Sequence, residues 1–401
     1  MLHTKPAPYG NSPPPFLKVL PQPQRRATSS RVTSAPKPSA ERTRESPVPL
    51  PLIATPRYRV SLFIEMPNQL PWGILGCGNI ARQFAACLPT SLRSTLRAAA
   101  SRSQATADVF VAPYPAARAY ANYDRLLADD AVQAVYIALP NSLHEEWTLK
   151  ALQSGKHVLC EKPLALNVDQ AQRMFDHARQ RGLLLAEAFM YRSHPLTDAV
   201  LAAIRRGDIG PIRIIRTSFC YRTLNVARNI RFDPTLGGGA IMDVGCYCVH
   251  FSHLLAGQEP TDIHAIGNIH PTGVDDAVVA TLKFSGGILA SFTCSMSAQA
   301  DNTAHICGQD GYIEIPIPWK PGKRSTYVLG YSTPPRMDGN LPPPPPRQTI
   351  TVDSNLDLYA HEADEFAAAI FDQKPPRITP ADTLANMRVL DEIRRQIGLA
   401  F

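Results

Sequence analysis

From Pro71 onward, runs of consecutive apolar residues alternate with stretches whose apolar positions recur every three or four residues. Residues 72–75, 97–101, 134–138 and 157–160 are runs of the first kind. Strands covered on both faces read this way, which predicts a parallel sheet joined by helical crossovers. Residues 79–88 have helical spacing, with Ile80, Phe84, Ala85 and Leu88 on one face. A second helix is predicted to start at Asn167, where Asn167 and Gln170 form a capping box. Its core stripe is Val168, Ala171, Met174, Phe175 and Ala178, and Gly182 ends it. Residues 183–187 return as a strand. The pattern over residues 67–190 is that of a doubly wound α/β domain.

Past residue 210 the period shortens to two. Val278, Ala280, Leu282 and Phe284 alternate with more polar neighbours, Gly286-Gly287 supplies a turn, and Ile288, Ala290, Phe292 and Cys294 alternate again. This predicts a hairpin with one apolar face. Residues 358–371 and 380–397 look helical and are expected to pack back on the first domain. Residues 191–401 are therefore assigned to a second, α+β domain. Seven prolines between 334 and 346 mark a surface loop, with polyproline recognition as the alternative.

The N-terminal stretch follows neither pattern. Thirteen of the first 66 residues are Pro, so this segment cannot sustain a helix or bury enough apolar area, and it is expected to be disordered. Arg25-Arg26 lacks the apolar run that an export signal needs, and the prolines oppose an amphipathic transit helix. The expectation is that translation starts at Met66 and that residues 1–65 are an upstream extension. This segment also explains the charge. Of 41 basic and 34 acidic side chains, residues 1–66 hold ten and three, which leaves 31 of each in the rest and accounts for the whole net charge of +7. The remainder has no net positive field, so no nucleic-acid partner is implied. No apolar run reaches the roughly 18 residues of a membrane-spanning helix. The eight cysteines include no CxxC pair and read as small core residues of a cytoplasmic protein, with no metal site.

Four places carry candidate chemistry. Gly76-Cys77-Gly78-Asn79-Ile80-Ala81 follows the first strand and opens the first helix, where a G-x-G-x-x-A turn would hold a pyrophosphate. Gly76, Gly78, Asn79 and Ile80 are the cofactor candidates there. An NAD-selective site places a carboxylate after the second strand, but this chain has Ser101-Arg102-Ser103, which suits a 2′-phosphate and predicts NADP in preference to NAD. Two further strand ends supply Asn141 with His144, and Glu161 with Lys162. Finally, Gly237-Gly238-Gly239 precedes a predicted helix. That helix has Ile241, Val244, Cys248, Phe251 and Leu255 as core stripe and Asp243, Tyr247 and His250 as polar stripe. The triple glycine suits close approach by another group. Arg192 and His194, after the last strand of the first domain, are candidate substrate residues together with His250.

In GCGNIA, CEKP, AEAFMYRSHP and GGGAIMDVGCY the chain from about residue 70 resembles the glucose-fructose oxidoreductase / inositol dehydrogenase / MocA family. Within it, the chain is most similar to the dihydrodiol dehydrogenase, NADP-dependent xylose dehydrogenase and glucose-fructose oxidoreductase branch. The resemblance implies a Rossmann domain plus an open-faced, mostly antiparallel sheet that buries the nicotinamide end and commonly dimerises. It also implies that Lys162 and Tyr247 are catalytic.

The chemistry can be argued from the residues themselves. Oxidising a carbinol needs a hydride acceptor and a group that takes the hydroxyl proton. Tyr247 is the expected base, Lys162 the cation that lets the phenol ionise, and Asp243 the acceptor that orients the substrate hydroxyl. The expected substrate is a sugar or cyclic polyol. The alternatives are a trans-dihydrodiol, or a cofactor-binding regulator without catalysis.

Overall fold

The computed structural model describes residues 68–333, 337–340 and 343–399. The expected disorder of the N-terminal extension lies outside these residues, as does part of the proline-rich loop.

Six strands form the first sheet: β1 (Leu70–Leu75), β2 (Ser94–Ala100), β3 (Arg118–Tyr120), β4 (Ala134–Ile137), β5 (His157–Glu161) and β6 (Leu185–Ala188). They are all parallel, in the order β3-β2-β1-β4-β5-β6. The crossovers carry α1 (Asn79–Cys87), α2 (Gln104–Val111), α3 (Tyr123–Leu127), α4 (His144–Gln153) and α5 (Val168–Arg181). Every residue of β4 and β6 is buried, as continuous apolar runs require when helices cover both faces. Helix α5 starts where Asn167 accepts from Gln170 N and ends at Gly182, whose φ is 64°. The capping box does not close, however, because the Gln170 side chain accepts instead from Leu166 N at 3.0 Å.

After α6 (Pro195–Arg205) comes an eight-stranded sheet of β7 (Ile212–Cys220), β8 (Pro260–Ile269), β9 (Asp275–Phe284), β10 (Leu289–Ser295), β11 (Ala304–Gly308), β12 (Gly311–Ile315), β13 (Arg324–Tyr331) and β14 (Arg347–Asp353). Its order is β14-β13-β12-β11-β7-β10-β9-β8, and only the β7–β10 pair is parallel. The hairpin of β9 and β10 sets Leu282 opposite Ala290, Ala280 opposite Phe292 and Val278 opposite Cys294, all buried. The other face leaves Ile214, Ile266, Val279 and Leu289 exposed.

Helix α7 (Cys246–Ala256) lies against β7 and β10 on the buried face. The last two helices, α8 (Leu358–Phe371) and α9 (Pro380–Gln396), run back to the first sheet. Helix α8 packs on α1, and α9 bridges α5, α7 and β8. Asp364 accepts from the backbone N–H groups of Leu92 and Arg93, and Arg93 pairs with Asp372 at 2.5 Å, so polar bonds reinforce the joint. One contiguous core runs from Trp72 and Phe84 through Tyr247 to Ile393.

Candidate active site

The carboxyl ends of β1, β4 and β5 lie side by side, about 10 Å across by ordinary strand spacing. At the end of β1, Gly76 has φ 95°, and a Cβ there would meet Ala138 O at 2.5 Å, so only glycine makes this turn. Gly78 caps α1 without any side-chain hydrogen bond, and nothing lies within 4 Å of the place its Cβ would take. The residues thus fit a pyrophosphate, because backbone donors face open space at a helix start. Asn79 begins the helix and accepts from Arg82 at 3.4 Å, while Ile80 packs on the core. Beyond β2, Ser101 is half-buried and Arg102 exposed, with no carboxylate in Ser101-Arg102-Ser103.

Lys162 follows β5 in a cis peptide with Pro163. Its ammonium donates to Asp243 O at 2.6 Å and pairs with Asp243 Oδ1 at 3.3 Å. It also lies 5.1 Å from the centroid of the Tyr247 ring. Asp243 Oδ2 accepts from Tyr221 Oη at 2.5 Å and from Arg231 Nε at 2.9 Å. Burial raises the Asp243 carboxyl, but Lys162 and Arg231 outweigh it and hold the group down to about 2. Burial likewise opposes the Lys162 charge, yet Asp243 keeps its pKa above the usual lysine value. Both groups are ionised around neutrality. Tyr221, Arg231 and the nearby Lys320 escaped the sequence reading. Tyr221 directly follows β7, whose polar and apolar positions are mixed, and Arg231 lies in a single 3-10 turn, Ile230–Phe232, too short for a period to orient it.

The predicted helix after the glycines starts as a π-helical turn, Ile241–Gly245, before α7 continues. The wider turn changes the phase, so the expected polar stripe splits. Asp243 faces the cleft, whereas Tyr247 and His250 are 3% and 1% exposed. Tyr247 Oη contacts Met190 Sδ at 3.4 Å, within a group of rings from Phe189, Tyr191, Phe219 and Trp319. Burial pushes its phenol well above the ordinary value. The close approach expected at the glycines is made by the protein's own atoms: Arg231 O at Gly238, and the Asp275 carboxylate at Gly239, whose φ is 122°.

Five predicted residues are not brought to the cleft. His250 stacks on Phe189 and bonds Tyr191 Oη at 2.6 Å, which uses it as core. His194 caps α6 through Nδ1, and burial pushes it down to about 4. His144 lies between Pro163 O and Leu139 O, at 2.9 and 3.0 Å, and clamps two strand-end loops together. Glu161 turns inward to accept from Tyr136 Oη. Arg192 reaches His250 and donates to Arg377 O at 2.9 Å, away from Lys162. Asn141 does line this region, but its amide donates to Gly237 O at 2.8 Å and so ties the loop after β4 to the triple-glycine segment.

Residues 70–189 match a family model described as an oxidoreductase family with NAD-binding Rossmann fold, and residues 197–314 match a GFO/IDH/MocA C-terminal domain. The chain belongs to the GFO/IDH/MocA oxidoreductase family. It is 32% identical to the human trans-1,2-dihydrobenzene-1,2-diol dehydrogenase over 83% of this chain and 98% of that protein. Identity to D-xylose 1-dehydrogenase (NADP(+)) 2 of Haloferax volcanii is 33%, over 80% of this chain and 95% of that one. Among solved structures, a 3-ketoreductase from Actinomadura kijaniata in complex with NADP and TDP-benzene superposes with a TM-score of 0.72. It has 30% identity and covers 82% of this chain and 98% of its own. Among the described residues no helix is long and apolar enough to cross a membrane, and no cluster of metal-ligating side chains occurs.

Proposed function

We propose that this oxidoreductase is an NADP-dependent dehydrogenase acting on a carbinol of a sugar or cyclic polyol. The observation that carries the reading is the meeting of Lys162, Asp243 and the Tyr247 ring at a strand end two strands from the open Gly76–Gly78 turn. The first sheet serves the cofactor and the second sheet serves the substrate. The Gly78 cap and the first turn of α1 hold the pyrophosphate, and Arg102 with Ser101 receives a 2′-phosphate. Bound NADP supplies the acceptor for the hydride that leaves the carbinol carbon with its electron pair. Asp243, ionised and held by two cations, accepts a hydrogen bond from a substrate hydroxyl and orients the ring. As the phenolate, Tyr247 takes the carbinol proton on Oη, and the carbonyl product forms. Its buried phenol holds its own proton, so it is ready to donate in the reducing direction. Oxidation near neutrality requires the Lys162 charge beside the phenolate.

A trans-dihydrodiol is the second reading, supported by the named relatives and by the ring cluster around Tyr247. Two further features complete the proposal. The uncovered face of the eight-stranded sheet pairs two copies through Ile214, Ile266, Val279 and Leu289. The eight free cysteines, six of them buried, suit a reducing cytoplasm.

The test is turnover of aldoses, inositols and trans-dihydrodiols followed by NADPH absorbance, with NAD in parallel. We expect kcat/KM with NADP to exceed that with NAD by at least about tenfold, as a 2′-phosphate on a guanidinium implies. A preference for NAD would remove Arg102 from its role, and absence of turnover on every carbinol would remove the dehydrogenase.

A further inference from the structure

The cleft holds more positive charge than its single carboxylate can balance. The charge of Asp243 is already shared, with Oδ1 on Lys162 and Oδ2 on Arg231 and Tyr221, which leaves one lone pair of Oδ1 for a substrate hydroxyl. The neighbouring acid, Glu161, gives its carboxyl to Tyr136 in the core, where burial favours the protonated form. Arg231 uses only Nε. Its side chain is 47% exposed, and its two Nη groups have no partner among the described residues.

Lys320 adds a third cation. It is exposed and directly follows Trp319, whose indole N–H donates to Ser218 O at 2.8 Å. That indole stacks on Phe219 at 5.7 Å and lies 5.9 Å from the Tyr247 ring, which fixes Lys320 at the rim beside the proposed proton acceptor. No hydrogen bond or ion pair is made by Lys320 among the described residues. Partial burial, and then the repulsion of Lys162, push its ammonium below the ordinary lysine value. Like charges held together in a cleft cost energy unless an anion enters. Arg231 and Lys320 both lie on connections that leave strands of the second sheet, after β7 and after β12, whereas the pyrophosphate fits the glycine turn of the first.

We infer that the substrate carries an oxyanion, a carboxylate or a phosphate, which Arg231 and Lys320 receive while Lys162 and Asp243 engage the carbinol. This rests on reading the cleft as the carbinol-oxidising site. A guanidinium with a free fork and a mobile ammonium suit either anion.

The experiment titrates D-glucose, D-glucuronate and D-glucose 6-phosphate, with D-xylose and D-xylose 5-phosphate as the pentose pair, into the full chain saturated with NADP. Calorimetry reads binding and NADPH absorbance reads turnover. The expected result is at least about tenfold tighter binding of an anionic sugar than of its neutral parent. Whether glucuronate or the phosphates win identifies the anion. Lys320→Met should erase most of that ratio and Lys320→Arg should retain it. Equal affinity for charged and neutral sugars, binding of none, or a ratio unchanged in Lys320→Met overturns the inference. So does a tenfold loss of affinity for NADP alone in Lys320→Met, since that would place the lysine on the cofactor. Binding of an anionic sugar without turnover would keep the anion site and remove the dehydrogenase. Turnover of neutral sugars without charge preference would do the reverse.

Discussion

Two phenols stand near Lys162, and they differ in what surrounds their oxygens. Tyr221 Oη donates to a carboxylate that is already ionised, which fixes its proton on oxygen. Burial and Asp243 both push its pKa up. Tyr247 Oη meets only a thioether, so no strong acceptor competes for its proton. On the proposed reading, the proton-transfer role belongs to Tyr247 and a positioning role to Tyr221. Loss of a general acid or base costs about 10²–10⁴ in rate. We expect Tyr247→Phe and Lys162→Met each to lower kcat by that order while NADP affinity, read by fluorescence titration, stays within about threefold. Tyr221→Phe should lower kcat by less than about tenfold, because Lys162 and Arg231 still hold Asp243. If Tyr221→Phe is the more damaging of the two tyrosine variants, the proton passes through Tyr221.

At the scale of elements, the periodic segments were legible and the interruptions were not. The hairpin of β9 and β10 follows directly from its alternation, and the helix α8 has the predicted bounds, because packing and propensity agree there. The stretch after the triple glycine was read as one α-helix, since a π turn leaves no mark in an apolar pattern. That one element sets Asp243 beside Lys162 and His250 in the core. His144, His194 and His250 are buried neutral groups that bond within the protein, and sequence gives no sign of burial for an amphipathic ring. The same alternation that hides one face of the second sheet leaves its other face uncovered. On it Val279 pairs with Ile266, and Leu289 with Ile214, forming two apolar couples. Replacing Val279 and Leu289 together by Asp should convert the proposed dimer to monomer in light scattering without changing the fold, since both side chains are exposed. A doubly substituted protein that remains dimeric would place the interface elsewhere.

Across the whole molecule, the C-terminal helices close on the first sheet over buried acids. Glu187, at the end of β6, accepts from Leu164 N at 3.0 Å and from Thr383 Oγ1 of α9 at 2.8 Å. Glu362 of α8 is fully enclosed, and the two line a cavity of about 30 Å³. Burial pushes Glu187 up to about 7 and Glu362 well above the usual range. A carboxyl whose folded pKa lies above its unfolded value binds more protons in the native state, so it lowers stability as pH rises between the two values. For Glu187 that window runs from 4.5 to about 7, and above it the loss is complete. Histidines work the other way. His194, held at about 4 against 6.5, adds stability as pH rises through that lower window. The total pH profile therefore mixes opposing slopes, and only a difference isolates the acid. In urea unfolding at pH 5, 6, 7 and 8, the stability of Glu187→Gln relative to the parent should climb by about 1 to 3 kcal/mol between pH 5 and 7 and then level off. A difference that stays flat over this range would mean that Glu187 is ionised in the native protein throughout, so that the seam between α9 and the first sheet carries a buried charge.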